Sequence, residues 1–223
     1  MEKITYEEIK NNKEINIYME QGNEMLGVLG YTEHSKRHAA KVAETAGSIL
    51  KELGYSEREA ELAKIAGYMH DIGNCVNRND HPHSGAVMSF QILRELNMAP
   101  KEIAVIVNAI GQHDEHTGTA VDPVSAALIL ADKTDVRRNR VRNKIKAAFD
   151  KHDRVNYAVT SSRLEINKQA GAFELHLEID EEMCSMLDYY EIFLQRMLMC
   201  RRAAEIFGMK FKLYTNASAG DKK

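Results

Sequence analysis

The sequence predicts a mainly α-helical protein that ends in a small β-β-α-β segment. From the first residues to about residue 150, apolar residues recur at the three- and four-residue spacing of amphipathic helices. Beyond residue 160 the spacing changes to strict alternation, returns to the helical period for one long stretch, and ends in a second alternating run. We therefore predict a helical domain over residues 1–153, an accessory subdomain over 154–216 and a disordered tail over 217–223.

Capping signals set the helix boundaries in the first domain. Apolar stripes predict helices over 15–26, 39–53, 56–70, 85–96, 100–110 and 122–132. Gly54 ends the second of these helices, and Ser56 with Glu59 has the spacing of a capping box. Pro100 and Pro123 occupy first helical positions, where no amide proton is needed.

The accessory subdomain is predicted from the change of period. Residues 164–166 and 173–179 alternate around a turn at Gly171, which indicates a β-hairpin. Residues 183–198 then form a methionine-rich helical stripe, and residues 209–213 alternate as a last strand. We expect the methionines to serve core packing or a subunit interface, so a homodimer is one of the expected assemblies.

Composition limits the classes of function. The chain has 223 residues, of which 44% are hydrophobic and 28% charged, as in an ordinary globular protein. A formal net charge of −3 argues against nucleic acid as a partner bound by bulk electrostatics. Cys75, Cys184 and Cys200 do not form a disulfide framework. Because no apolar run could span a bilayer and no signal peptide is evident, we expect a cytoplasmic protein without a membrane partner.

The run His70-Asp71-Ile72-Gly73 is the most informative feature for function. Neighbouring side chains point in different directions on a regular backbone, so a His-Asp doublet suits metal binding where regular structure ends. We expect Gly73 to supply that ending by adopting the left-handed conformation past a helix terminus. His70 would then bind one ion while Asp71 bridges to a second, and paired ions suit hydrolysis at phosphorus.

Further candidate ligands surround this doublet. They are His34 upstream and His81, His113 and Asp132 downstream. Imidazole nitrogens and carboxylate oxygens together suit Mn or Fe, with Zn, Mg and Ni as further candidates. The sequence therefore predicts a site for divalent metal ions, with two ions expected.

The order of these residues resembles the HD-domain superfamily of metal-dependent phosphohydrolases. The matching segments are His34-Ser35-Lys36-Arg37, His70-Asp71-Ile72-Gly73, His81-Pro82-His83-Ser84-Gly85-Ala86, Gln112-His113-Asp114-Glu115 and Ala131-Asp132. They lie between about Tyr31 and Asp135, a little under half of the chain. A lone His-Asp pair would be a weak signal for this family, whereas several matching segments in the same order are a specific signal.

This resemblance implies an all-α catalytic domain that holds two divalent ions. By this likeness one ion is held by His34, His70, Asp71 and Asp132, and the other by Asp71, His81 and His113. Asp71 would be the catalytic residue, because a carboxylate that bridges the ions positions the attacking hydroxide. The implied activity is hydrolysis of a small phosphorylated substrate, and we expect a nucleotide.

Departures from the family pattern refine the expectation. Relatives that cleave cyclic dinucleotides carry Lys where Asn74 stands here, and a Tyr-Pro step that is absent after His116, so cleavage of a cyclic dinucleotide is disfavoured. Gln112 replaces one of two paired histidines, which disfavours a third ion. The chain is more similar to the diadenosine-tetraphosphate hydrolases, which share the His-x-x-x-Gly-Ala step and a single later His.

Other polar residues are expected to support the ligands from behind. They are Arg37, His38, His83 and Gln112. The spacing to Gly85 favours His81 over His83 as a ligand, and His113 is preferred to His116. His38 lies one helical turn after His34, a spacing that would allow it to chelate an ion directly, but we expect it to support the ligands instead.

Cations follow the last ligand directly. We expect Lys133 and Arg137 to contact substrate phosphate, where positive charge stabilises the developing charge. The rest of the basic stretch over 137–154 is expected to form a solvated helix face.

Two rival functions remain open from the sequence. One is a mononuclear nucleotidase that uses only His34, His70, Asp71 and Asp132. The other is a nucleotide-sensing module whose metal site binds ligand without hydrolysing it. Metal stoichiometry distinguishes the first rival, and tight binding without turnover would favour the second.

Overall fold

The computed structural model describes residues 3–143, 145, 149 and 151–216. Within them the helices are α1 (Tyr6–Asn11), α2 (Lys13–Val28), α3 (Lys36–Glu52), α4 (Glu57–Met69), α5 (His81–Glu95), α6 (Pro100–Gly111), α7 (Pro123–Lys133), α8 (Lys151–Ala158) and α9 (Met186–Ile206), and the strands are β1 (Val159–Asn167), β2 (Ala172–Ile179) and β3 (Lys210–Thr215). The predicted fold class, a helical fold with a β-β-α-β ending, is confirmed. The predicted tail over 217–223 lies outside the described residues.

Helix α7 occupies the centre of the helical part. Every residue of its 124–131 stretch is buried, because the sequence there is apolar apart from Ser125. The helix packs against α3, α4, α6 and α9. Asp132 and Lys133 follow this apolar stretch in the last turn, so the core of the protein positions both side chains.

The strands form one sheet in the order β1-β2-β3. A turn with Gly171 at φ 57° joins β1 to β2 as the predicted hairpin, and α9 connects β2 to the parallel strand β3. Met197 and Met199 of α9 are buried within the chain, which assigns them to core packing. Helix α9 also contacts α7, so the accessory segment packs directly on the helical part.

Several boundaries differ from the sequence-based expectation. The first helix, α1, was not predicted, because one and a half turns carry too few apolar positions to show a period; its Thr5 capping box and buried Ile9 fix it. Helix α5 begins at His81, four residues earlier than expected, with Asp80 as N-cap at φ 64°. The predicted division between 153 and 154 stays a prediction, and α8 crosses it.

Most of the basic stretch over 137–154 was expected to form a solvated helix face, and that prediction is wrong for residues 137–143. Arg138–Arg140 form a 3₁₀ turn, and α8 begins only at Lys151. Arg140 is buried, because its guanidinium donates to the carbonyl oxygens of Glu33 and Asp135 at 3.0 and 2.9 Å. The basic stretch therefore contains one buried arginine with a structural role, since Arg140 hydrogen-bonds to the segment that precedes α3.

None of the described helices combines the length and apolarity that crossing a membrane requires.

Gly73 is required for a close backbone approach, and the expectation of a left-handed conformation is wrong. Helix α4 passes into a 3₁₀ turn over Ile72–Cys75, and the described glycines with positive φ are Gly30, Gly54, Gly171 and Gly208. A Cβ atom on Gly73 would lie 2.1 Å from the carbonyl oxygen of His81. The missing side chain thus lets the start of α5 press against the His70-Asp71 doublet.

Gly73→Ala should destabilise the protein and displace His81. The contacting atoms belong to backbone, so we expect a loss of about 3 kcal/mol in the free energy of unfolding, measured by chemical denaturation. Gly111→Ala is the matched control, since the nearest atom to its added Cβ is 3.8 Å away. Equal stability of the two variants would contradict the close-approach explanation.

Candidate metal centre

Ends of four helices and one preceding loop converge on a cavity of about 640 Å³. His70 and Asp71 follow α4, His81 begins α5, His113 follows α6, and Asp132 lies in the last turn of α7. His34 precedes α3 and lines the same cavity. The structure therefore brings His70, Asp71, His81, His113 and Asp132 together, whereas His34 lies on the wall of the same cavity outside these close groups.

Asp71 lies between two groups of histidines. Its Oδ2 is 3.1 Å from Nε2 of His70, and its Oδ1 is 3.6 Å from Nε2 of His81. Oδ1 of Asp132 lies 3.6 Å from the same nitrogen of His70. Nε2 of His81 and Nε2 of His113 are 3.2 Å apart. The two oxygens of Asp71 thus face separate clusters, as a bridging carboxylate requires.

Backbone carbonyl groups fix the tautomers of the candidate histidines. Nδ1 of His34 donates to the carbonyl of Thr32 at 2.8 Å, and Nδ1 of His70, His81 and His113 donates to the carbonyls of Gly67, Arg78 and Ile110 at 2.8, 3.0 and 2.6 Å. A carbonyl oxygen only accepts, so Nδ1 carries the proton in each neutral ring. Each Nε2 then carries a lone pair, the form that binds metal, and Nε2 of His81 also lies 3.4 Å from Nη1 of Arg78.

Unpartnered polar atoms show that this donor set fits a divalent cation. Among the described residues, Nε2 of His38, Nε2 of His70 and Oδ2 of Asp71 are buried without a hydrogen bond. Two lone pairs of His81 and His113 face each other at 3.2 Å, an arrangement that a cation would stabilise. Three groups of these donors have ligand atoms within 4.8 Å of one another. The mixed nitrogen and oxygen set suits first-row divalent ions.

Electrostatics also favour a cation at this position. Burial holds the pKa of His34, His81 and His113 below the usual value, so these rings are neutral and ready to bind metal. Burial opposes charge on His70 too, but the carboxylates of Asp71 and Asp132 outweigh it and raise the pKa of that ring. The negative charge of the two carboxylates therefore favours a cation in this cluster, and a divalent ion would balance that charge.

His38 lies closer to the cluster than a supporting role requires. Its Nδ1 donates to Oδ2 of Asp135 at 2.8 Å, and its Nε2 is 3.3 Å from Oδ1 of Asp132 and 3.9 Å from Oδ2 of Asp71. Its nitrogen is thus one of the atoms close enough to share an ion with His70 and Asp71. The supporting role expected from the sequence stays a prediction, and the geometry also offers a direct ligand.

The remaining predicted residues lie in different places. Arg37 is exposed beside Glu33, His83 is exposed beside Asp80, and Oε1 of Gln112 accepts from the amide of Thr119 at 3.0 Å. His81 lines the cavity and His83 faces solvent, so the geometry favours His81 as the ligand. His116 lines the cavity as well, apart from the clustered nitrogens.

The two predicted phosphate-binding cations differ in position. Lys133 lines the cavity, where its Nζ lies 2.9 Å from Oδ2 of Asp132 and 2.8 Å from Oε2 of Glu115. Arg137 instead pairs with the buried Asp135, whose Oδ1 is 2.7 Å from Nε of Arg137. The structure thus brings Lys133 and not Arg137 to the candidate site.

Several cavity residues were missed by sequence reasoning. They are Arg78, Glu115, Arg140 and Arg196. Glu115 accepts from Nε of Arg196 at 2.9 Å, and although burial opposes ionisation, Lys133 and Arg196 hold the pKa of this carboxyl well below its usual range. Arg196 left no signal, because it stands within the methionine-rich helix far along the chain.

Comparisons with known proteins agree with this geometry. The HD domain family model matches residues 36–155, more than half of the chain. A protein named "Uncharacterized protein MJ1020" from Methanocaldococcus jannaschii is 29% identical over 201 residues, which cover 79% of this chain and 76% of the relative. Ribonuclease Y from Chlorobaculum tepidum is 36% identical over 104 residues and that from Campylobacter concisus 32% identical over 150 residues.

The matches cover different shares of this chain and of its relatives. The matches cover 45% and 67% of this chain, but only 18% and 27% of the two ribonuclease Y proteins. A crystal structure of a predicted HD superfamily hydrolase from an uncultured Thermotogales bacterium aligns with a TM-score of 0.44 at 23% identity, covering 56% of this chain and 68% of that one. The family match over residues 36–155 includes every histidine and aspartate of the close groups, and the chain belongs to the HD-domain family.

Proposed function

We propose that this protein is a divalent-metal-dependent phosphohydrolase that acts on a small phosphorylated molecule, with a nucleotide as the substrate class. The observation that carries the proposal is that Nε2 of His70 and Oδ2 of Asp71 are buried without hydrogen-bond partners, close to Nε2 of His81 and Nε2 of His113, which face each other at 3.2 Å. The cavity volume of about 640 Å³ falls in the range of small-ligand sites.

The candidate ligands divide into two sets that share Asp71. His34, His70, Asp71 and Asp132 would hold one ion, and Asp71, His81 and His113 the other. The short approach between Nε2 of His81 and Nε2 of His113 supports a second ion over the mononuclear alternative. When bound, the ions would supply Lewis acidity at the phosphate and a more acidic water, and Mn or Fe is proposed for both.

The chain itself contributes position and charge. Backbone carbonyl groups orient the histidine rings before any ligand arrives, so little reorganisation is needed on binding. Lys133 provides a buried cation at the cavity wall that can face a substrate phosphate. The likeness to diadenosine-tetraphosphate hydrolases makes dinucleoside polyphosphates the first substrates to test.

Cleavage of RNA is a second candidate. It is favoured by the 36% identity to a ribonuclease Y over 104 residues, and the shared chemistry would be attack at a phosphodiester. The net charge of −3 favours a small substrate instead, since proteins that bind RNA by its backbone commonly carry excess positive charge.

A phosphate-release screen tests the proposal. The full chain is loaded in turn with Mn, Fe, Zn, Mg and Ni, its metal content is measured, and it is assayed with nucleoside mono-, di- and triphosphates, diadenosine tetraphosphate and a single-stranded RNA. We expect turnover of at least one nucleotide with two ions per chain, and its loss in His70→Ala. Cleavage of the RNA alone would favour the second candidate, and tight nucleotide binding without turnover would favour a sensing module.

A further inference from the structure

Arg196 reaches the candidate active site from the accessory segment. It lies on α9, beyond the residues that match the family model, and its side chain lines the same cavity as the clustered histidines. The helix contacts α7, and its Cys200 and Ala204 belong to the same buried core as the apolar residues of α7. The position of this arginine is therefore set by core packing between the accessory segment and the helical part.

A chain of alternating charges joins Arg196 to the metal ligands. Oδ2 of Asp132 lies 2.9 Å from Nζ of Lys133, which lies 2.8 Å from Oε2 of Glu115. Oε1 of Glu115 accepts from Nε of Arg196 at 2.9 Å, and the guanidinium carbon lies 4.8 Å from the ring centroid of Phe193. The carboxylate and the aromatic ring together hold the guanidinium in one orientation.

The terminal NH₂ groups of Arg196 remain available to a ligand, whereas Lys133 and Arg140 already pair with groups of the protein. Its contact with Glu115 employs Nε, and among the described residues neither terminal NH₂ group has a hydrogen-bond acceptor. Lys133, in contrast, is shared between two carboxylates, and Arg140 donates to the carbonyls of Glu33 and Asp135. A fixed, half-buried guanidinium that lines the cavity and keeps two terminal NH₂ groups without an acceptor among the described residues matches the fork geometry of phosphate oxygens.

We propose that Arg196 binds a phosphate group of the substrate, so that α9 forms one wall of an anion subsite in the cavity. This inference rests on the proposed phosphorylated substrate, but it does not need turnover. It gives the accessory segment a role in substrate selection: a molecule with a phosphate that reaches the guanidinium binds more tightly than one without. Arg196 is a specificity residue in this account, and the metal ligands keep their own role.

Calorimetric titration with inorganic phosphate tests the subsite directly. The full chain is measured in the presence of Mg²⁺ as wild type, Arg196→Gln and Arg196→Lys. Losing a charge-assisted contact should weaken phosphate binding by about tenfold or more in Arg196→Gln, by the usual strength of hydrogen bonds to charged groups. Arg196→Lys should fall between the two, because lysine keeps the charge and loses the fork.

Arg202→Gln is the matched control, since it removes the same charge from an exposed position of the same helix. Titration with Mg²⁺ provides a second readout, and Arg196→Gln should bind the metal as wild type does. The inference is overturned if wild type does not bind phosphate at millimolar concentrations, if Arg196→Gln binds it normally, or if that variant loses metal affinity in proportion. Arginine-dependent phosphate binding without nucleotide turnover would uphold the subsite while removing the proposed function.

Discussion

An Asp71→Asn variant should lose metal binding and hydrolysis together while remaining folded. Asparagine has the same shape, and Asp71 sits at a helix end where its hydrogen bond comes from the side-chain amide of Asn74 at 2.8 Å. The variant removes the negative charge that faces His70 with one oxygen and His81 with the other. Because partners of a metal ligand alone commonly contribute 10–100-fold to affinity, the proposed bridging ligand should contribute at least about 100-fold.

Isothermal titration with Mn²⁺ and elemental analysis of the purified protein measure this effect. Asp180→Asn is the matched control, because it removes the same charge from a half-exposed ion pair with Arg138 outside the cavity wall. We expect both ions to be lost from Asp71→Asn and neither from the control. Retention of two ions per chain by Asp71→Asn would show that this carboxylate does not join the two sets of histidines.

The order of the candidate ligands was predicted from the His-Asp doublet and from the resemblance to the HD-domain family, and in the structure each candidate lies where a helix begins or ends. The capping box of Ser56 and Glu59 and the end of the α3 helix at Gly54 were likewise local signals, and the structure has both. The carbonyl groups that hold each Nδ1 come mainly from three residues earlier. That contact follows from a helical turn around the histidine once the boundary is known, but the boundary of α5 was placed four residues too late.

Contacts between distant parts of the chain could not be predicted in the same way. Glu115 and Arg196 are 81 residues apart, and no period or spacing connects them. Gly73 was recognised as a break in the helix, but its reason is the backbone of α5, which only the packing reveals. Arg137 was assigned to substrate because it follows Asp132, whereas a buried carboxylate three residues from that ligand competes for it.

Asp135 is that carboxylate, and its replacement should cause a large loss of stability. The side chain is 1% exposed, accepts from Nδ1 of His38 at 2.8 Å, and pairs with Arg137 and Lys41 at 2.7 and 3.0 Å. Arg140 is buried beside it at 3.9 Å. Asp135→Asn would leave these groups without their counter-charge, which commonly costs 3–5 kcal/mol when one partner of a buried pair is removed.

Thermal unfolding gives the clearest measurement of this loss. For a chain of this length a cost of 3–5 kcal/mol corresponds to a decrease in Tm of roughly 6–20 °C. Glu57→Gln is the matched control, because its pair with Lys51 is exposed and screened by solvent, and it should leave Tm unchanged. If Asp135→Asn has the same Tm as the Glu57→Gln control, then water solvates the cations around position 135 once their counter-charge is removed, and the buried-pair explanation is contradicted.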